Sequence, residues 1–340
     1  MVGRKARPQP CRVLRLVLYL CCCLLCACGG VAAEPLHGAG NAMTTPSAAQ
    51  GAALAPAWQP LAERLAADGL AGPQVEALLA TLPATPTQSP MGRKMRELYK
   101  SKFLATPEKK PAPRYYKGVV TERNAHICQE FIAAHAPAFQ NAEARYQVPA
   151  EIAVALLFVE TRLGKVLGAN SENALYTLAS MAVSRKPADI IDWLGEMPGH
   201  EERLDWFAET MPKRADWAYR EVKALLLHLL REGGDPRSLP GSIYGAVGLC
   251  QFMPSNIPMY GADGDGDGRV DLFTVGDAVA SLSNYLVRHG WRKGLSYAQQ
   301  QKILMRYNKS RVYADTILAL ADLVTKSAGN ITGKNSGERP

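Results

Sequence analysis

The sequence predicts a mainly α-helical protein, and three observations carry that expectation. Beyond residue 60, apolar residues recur at three- and four-residue intervals, which is the period of one helix face. Runs that alternate apolar and polar residues, the mark of a half-buried strand, are nearly absent. The chain of 340 residues is 47% hydrophobic and 21% charged, as expected of a globular protein and not of a disordered one.

The elements follow in order. Leu61, Leu65, Leu70, Val75, Leu78, Leu79 and Leu82 mark a first helical region, stopped by Pro83 and Pro86. Met91 to Phe103 is a second helix, with Met95, Leu98 and Tyr99 at helix spacing and Lys and Arg elsewhere. Pro107 to Pro113 reads as a linker. Asn124 to Ala144 is amphipathic through Ile127, Phe131, Ile132 and Phe139, and Pro137 inside it should break or kink it. Pro149 then opens the run Glu151 to Gly164, EIAVALLFVETRLG, near a first turn where a missing N–H costs nothing. Gly164 and Gly168 close that helix and the turn beyond it.

Ala174 to Ser184 is a short apolar helix. Asp189 to Phe207, rich in aromatic and acidic residues, suggests an inserted helical pair. Ala215 to Leu230 is strongly amphipathic and is broken by Gly233-Gly234-Asp235-Pro236. Gly241 to Asn256 is a Gly-rich stretch whose glycines mark close backbone approach. An acidic loop runs from Asp263 to Asp277, and a helix from Asp277 to His289, ended by Gly290. Tyr297 to Val324 is the last helical stretch, and Lys326 to Pro340 reads as a disordered polar tail. The folded unit is thus expected over residues 61–325.

Residues 1–27 read as a signal segment: a basic start, then the apolar run Leu16 to Leu25, too short to span a bilayer as a helix. Leu25-Cys26-Ala27-Cys28 resembles a bacterial lipobox, in which cleavage leaves Cys28 as a lipid-modified N-terminus. Gly29 follows it in place of Asp, which by resemblance to Gram-negative lipoproteins implies the outer membrane, reached through the periplasm. The alternative is ordinary secretory cleavage nearby, for instance after Ala33. Residues 28–60, rich in Ala, Gly, Pro and Thr, read as a flexible tether.

The net charge of +8 overstates the basic character of the folded part. Arg4, Lys5, Arg7, Arg12 and Arg15 all lie in the leader, and without them the balance is +3. No basic stripe remains to neutralise phosphates, so a nucleic-acid partner is not expected. Six of the eight cysteines also fall in the leader; Cys128 and Cys250 remain, either as a disulfide or as two buried thiols.

Two stretches carry chemistry. Ile152 to Val159 is apolar on every side and ends in Glu160. A helix of that kind is buried, so Glu160 is expected against a low-dielectric wall that raises its pKa, as a general acid requires. The bland alternative is a last-turn Glu paired with Arg162 or a nearby Lys. In DGDGDGRVDLFTVGD, Asp263, Asp265 and Asp267 stand at positions one, three and five of an EF-hand-type loop, with the carbonyl of Arg269 at seven. Position twelve is Thr274, not Glu, and Asp277 is placed to close a longer loop. This donor set predicts Ca2+ in a structural role, since a single loop lacks the paired hand of a sensor. A solvated acidic loop is the alternative.

VETRLG, GSIYGAVGLCQFMPSN, the acidic loop and YNKSRVYA occur here in an order that resembles the B-type membrane-bound lytic murein transglycosylases, over roughly Leu61 to Val324. The resemblance implies a lysozyme-like helical catalytic domain. It implies cleavage of the β-1,4 bond between N-acetylmuramic acid and N-acetylglucosamine in peptidoglycan, with a 1,6-anhydro product and no organic cofactor. Most glycosidases use two carboxylates, about 5–5.5 Å or 6.5–9.5 Å apart. Only Glu160 is found on an apolar wall near the Gly-rich motif. One carboxyl suffices if the substrate's own C6 hydroxyl attacks C1. Glu160 then gives its proton to the leaving oxygen and afterwards takes one from that hydroxyl.

By the same resemblance Ser242 and Gln251 meet sugar or orient Glu160, and Arg214 meets peptide or lactyl carboxylates. Tyr307 is placed to donate to Glu160, and Tyr307 and Tyr313 to stack on sugar faces. Leu163 stands where the best-known members have Trp, and Cys250 where a small residue is common. Enzymes of cell-wall synthesis or hydrolysis are candidate partners. The competing readings are a non-catalytic peptidoglycan-binding scaffold on the same fold and a hydrolytic muramidase.

Overall fold

The computed structural model describes residues 54–104, 112–167 and 172–334. The leader, Cys28, the tether up to residue 53, most of the linker after Phe103, Gly168 and the last six residues lie outside the described residues. Within them every regular element is helical, and extended pairing is confined to the isolated bridges Asn173–Pro240, Gly241–Val247 and Val247–Phe252.

The first helical region is two helices, α1 (Gln59–Ala67) and α2 (Pro73–Leu79). Between them Gly69 and Gly72 take φ of 81° and 110°. α3 (Ser89–Phe103) buries Met91, Met95 and Tyr99, as its pattern predicts. α4 (Glu122–Ala134) and α5 (Ala136–Tyr146) are the halves that Pro137 separates. The Thr121 side chain accepts from Asn124 N and caps α4.

α6 (Ala150–Thr161) is the centre of the molecule. Every residue from Ile152 to Val159 is buried, against α4, α5, α11 (Val275–Arg288) and α13 (Arg311–Lys334). Burial of each large side chain in that run contributes about 1.5–3 kcal/mol.

α7 (Ala174–Val183) packs against α9 (Leu204–Glu232), and both contact α3. Between them α8 (Ile191–Leu194) is a single turn. α10 (Ile257–Tyr260) follows the Gly-rich stretch, and α12 (Tyr297–Tyr307) precedes α13.

Three expectations are corrected. α9 begins at Leu204, not Ala215, and carries Pro212 in its interior. Trp206 and Phe207 therefore belong to α9 and not to a separate helical pair. They pack with Tyr99 and Phe103 at centroid distances of 5.2–6.0 Å. That aromatic packing holds the first turns of α9 although Pro212 removes one backbone hydrogen bond. The last helical stretch is two helices: Asn308 is extended, and the Ser310 hydroxyl accepts from Tyr313 N to start α13. α13 then runs to Lys334, where a disordered tail was expected from Lys326. No Pro stops it, and an established helix adds one bond per residue fixed. Gln129 also donates to Val324 O at 2.8 Å.

The Gly-rich stretch lies on the exit of the acidic loop, with Leu249 N donating to Leu272 O at 2.8 Å. Gly248 has φ 75°, and a Cβ there would fall 2.4 Å from Leu272 Cβ and 2.6 Å from its carbonyl oxygen. Gly248→Ala is therefore expected to destabilise the fold by about 2–4 kcal/mol through strain and overpacking, read as a lower denaturant midpoint at unchanged slope.

Candidate active site

Glu160 occupies the last turn of α6 and is partly exposed while its neighbours Val159 and Thr161 are buried. Burial lifts its carboxyl to about 7, opposed by the hydrogen bond that Tyr313 donates to Oε1 at 2.5 Å. Among the described residues no second carboxylate contributes to that shift, and neither Arg162 nor a Lys does. The ion-paired alternative for Glu160 is thus not what the structure shows. Arg162 instead lies over the Phe158 ring, 4.7 Å from its centroid.

The chain turns sharply after the acid. Arg162 and Leu163 have φ of 51° and 61°, left-handed values that cost a non-glycine residue about 1–3 kcal/mol and persist only where the surroundings over-determine them. The amides of Arg162 and Leu163 bond back to the carbonyls of Phe158 and Leu157, and that of Gly164 to the Thr161 hydroxyl. Leu163, 7% exposed, fills the core and offers no face to a sugar.

The tyrosines divide the work differently from the expectation. Tyr313 is the donor to Glu160, while Tyr307 donates to the carbonyl of Cys250. The two rings stack, 6.4 Å between centroids at 16°. Tyr313 is 0% exposed, so its ring has no open face for a sugar, and its hydroxyl is engaged with Glu160. The reason is the break at Asn308, which restarts the helix and sets Tyr313, not Tyr307, opposite α6. Burial, and then the charge of Glu160, push the Tyr313 hydroxyl well above its ordinary value.

The Gly-rich loop supplies the facing wall. Ser242 Oγ accepts from Tyr244 N and Ala246 N at 3.3 and 3.0 Å, capping the turn. Gln251 has φ 51°, and its side-chain Nε2 donates to Gly248 O at 2.9 Å. Cys250 and Cys128 are free buried thiols, pushed by burial to about 12. Arg214 sits partly buried on α9 and makes no ion pair with the residues around Glu160. Tyr116, which sequence reasoning missed, lies near enough to Glu160 to feel its charge and bonds to Ser310. It stands outside any helix, so no periodicity marks it.

In the acidic loop Asp263, Asp265 and Asp267 hold one carboxylate oxygen each within 4.8 Å of one another. Asp263 accepts from Gly266 N and Gly268 N, which hold its carboxyl below its usual range. Asp277, 1% exposed, closes the loop by accepting from Gly264 N at 2.7 Å and Asp271 N at 2.6 Å. Arg269 N donates to Asp267.

Residues 53–303 match the family model described as the transglycosylase SLT domain. The chain belongs to that family. Among relatives of this SLT-domain protein, membrane-bound lytic murein transglycosylase B of Escherichia coli (strain K12) is 33% identical over 181 residues, 53% of this chain. The match spans 42% of that relative's length. Two solved structures share the fold. Soluble lytic transglycosylase SltB1 of Pseudomonas aeruginosa aligns with TM-score 0.61 at 22% identity, over 81% of this chain and 100% of that one. The Escherichia coli lytic transglycosylase Slt35, in complex with bulgecin A, aligns with TM-score 0.60 at 23% identity, over 84% and 99%. The lysozyme-like helical fold expected for the SLT-domain chain is the fold observed.

A raised carboxyl pKa has a stability consequence whose sign is fixed. The folded state holds the Glu160 proton up to about pH 7, the unfolded state only to about 4.3. Burial of the charged form therefore costs nothing at low pH, grows as pH rises between those values and is complete above 7. Glu160→Gln is expected to raise the melting temperature at pH 8, by at most about 4 kcal/mol of stability, and to change it little at pH 4.

Proposed function

We propose that this protein is a lytic transglycosylase of peptidoglycan that cleaves the β-1,4 bond between N-acetylmuramic acid and N-acetylglucosamine, with Glu160 as its single acid and base. The observation that carries the reading is the lone carboxyl at the end of α6, raised to about 7 by burial and held by Tyr313. At neutral pH such a group is divided between its acid and base forms, as a residue acting in both roles requires. Glu160 gives its proton to the glycosidic oxygen as the bond to C1 breaks. The muramoyl C6 hydroxyl then bonds to C1 and returns a proton to the Glu160 carboxylate, closing the 1,6-anhydro ring without water. Gln251, Ser242 and Tyr307 are assigned to the sugar side of the cleft, Tyr313 to the carboxyl, and Arg214 to the acidic groups of the peptide or lactyl arm.

The family match and the likeness to membrane-bound lytic murein transglycosylase B support the substrate class. SltB3 of Pseudomonas aeruginosa, a structural neighbour, was solved in complex with NAG-NAM-pentapeptide. Anchoring to the outer membrane through lipid on Cys28 is part of the proposal. The relative is itself membrane-bound, and among the described residues no helix is long and apolar enough to cross a membrane. The tether would then be the part of residues 28–60 that precedes the fold, since Trp58, 0% exposed, and Gln59 at the start of α1 already belong to it.

Ca2+ is proposed for the acidic loop. The three converging carboxylates suit a hard cation with oxygen ligands. Each Asp277 oxygen keeps a second lone pair beside its backbone bond, and the Arg269 carbonyl completes the set. Slt35 was solved in complex with calcium. The ion would brace the loop whose exit supports Leu249 and would take no part in the reaction.

Digestion of purified sacculi followed by mass spectrometry is expected to yield muropeptides ending in anhydro-muramic acid, and Glu160→Gln is expected to abolish them. Reducing-end products, heavier by one water, would instead mark a hydrolytic muramidase, and binding without cleavage a scaffold. Chelation of calcium is expected to lower the melting temperature, with about 2.7 kcal/mol lost relative to a solution at a hundred times Kd; an unchanged melting curve would remove the ion from the loop.

A further inference from the structure

Thr161 follows the acid directly and is 0% exposed. Its hydroxyl oxygen lies 2.9 Å from the carbonyl of Leu249 and 3.3 Å from that of Leu157, and accepts from Gly164 N at 3.0 Å. A hydroxyl has one proton to donate, and the shorter approach is to Leu249. The peptide groups of Leu249 are therefore gripped from two sides. Leu272 O, at the exit of the acidic loop, takes the N–H, and Thr161 takes the carbonyl. The next carbonyl, that of Cys250, is taken by Tyr307, whose ring stacks on Tyr313. The Gly-rich loop is thus fastened at two successive carbonyls, once by the neighbour of Glu160 and once beside the tyrosine that holds Glu160.

The backbone around this fastening is strained on both sides, at Arg162 and Leu163 just beyond α6 and at Gln251 on the loop. Such conformations persist only where fixed contacts over-determine them. A Val would fill the same volume in this apolar helix without a hydroxyl to satisfy. The hydroxyl is useful here because it joins the helix to the loop.

We propose that Thr161 is a positioning residue: its hydroxyl sets the spacing between Glu160 and the loop that carries Gln251, and so the direction in which the acid proton is presented. The proposal rests on the catalytic reading of Glu160. Without the hydroxyl the end of α6 relaxes away from the loop and the Tyr313–Glu160 bond weakens. That bond holds the Glu160 carboxyl down against burial, so its loss moves the high-pH limb of activity upward while the rate falls.

The test compares Thr161→Ser, Thr161→Ala and Thr161→Val with Glu160→Gln, on the full chain acting on soluble glycan strands. Thr161→Ala and Thr161→Val are expected to lose between about tenfold and a hundredfold in kcat, with KM unchanged and the high-pH limb displaced upward. Thr161→Ser is expected to keep the wild-type rate and profile. Should the Val variant fail to fold, the Ser and Ala variants still decide, since both lack the methyl and differ in the hydroxyl alone. Wild-type kcat and pH profile in Thr161→Ala, or equal impairment in Ser and Ala, overturn the positioning role. Full activity in Glu160→Gln sinks the catalytic reading and the proposal together, whereas an inactive Glu160→Gln beside a normal Thr161→Ala sinks the positioning role alone.

Discussion

The arrangement depends on an ionisable group placed at the end of a helix that has no polar face. Ile152 to Val159 must be surrounded to be stable, and α4, α5, α11 and α13 surround them. Once that is done, Glu160 has nowhere to go but the rim of the same apolar environment. Its charged form is penalised, and its carboxyl rises to about 7. A fully compensated carboxylate would sit far lower and would make a poor acid at neutral pH. A single tyrosine bond is a partial compensation: Tyr313 fixes where the carboxyl points without cancelling the effect of burial.

The facing wall is built to hold still. The acidic loop is closed by Asp277 on the amides of Gly264 and Asp271, and its exit residue Leu272 receives Leu249 N. From Leu249 the chain reaches Cys250 and Gln251, fastened to α6 through Thr161 and to α12 through Tyr307. This is a continuous set of hydrogen bonds from the acidic loop to the residue beside Glu160. Its glycines permit approaches that a Cβ would forbid, as at Gly248 under Leu272. Rigid support of this kind is what a site acting through one carboxyl needs, because orientation must supply what a second carboxylate would otherwise do.

Much of this was legible in the sequence, for identifiable reasons. α3, α7 and α11 follow the apolar period, and α6 announces itself by having no polar side. Glu160, Gln251 and the three loop aspartates stand in local patterns with a chemical meaning. What was not legible depends on contacts between distant segments. The start of α9 at Leu204 rests on Trp206 and Phe207 meeting Tyr99 and Phe103, which outweighs the helix-breaking tendency of Pro212. That Tyr313 and not Tyr307 donates to Glu160 follows from a helix break at Asn308 that periodicity alone reads through. Tyr116 reaches the site from a non-helical segment, and Thr161 reads as a minor polar residue until Leu249 is brought beside it.

The most direct test of this account is the titration of Glu160 itself in the folded protein, followed by carbon-13 NMR of its side-chain carboxyl, with Glu160→Gln identifying the resonance. The account predicts a midpoint near 7. A midpoint in the ordinary range of a solvated glutamate, about 4.3, would contradict it, because the carboxyl would then not feel the apolar wall from which its acid–base role is argued.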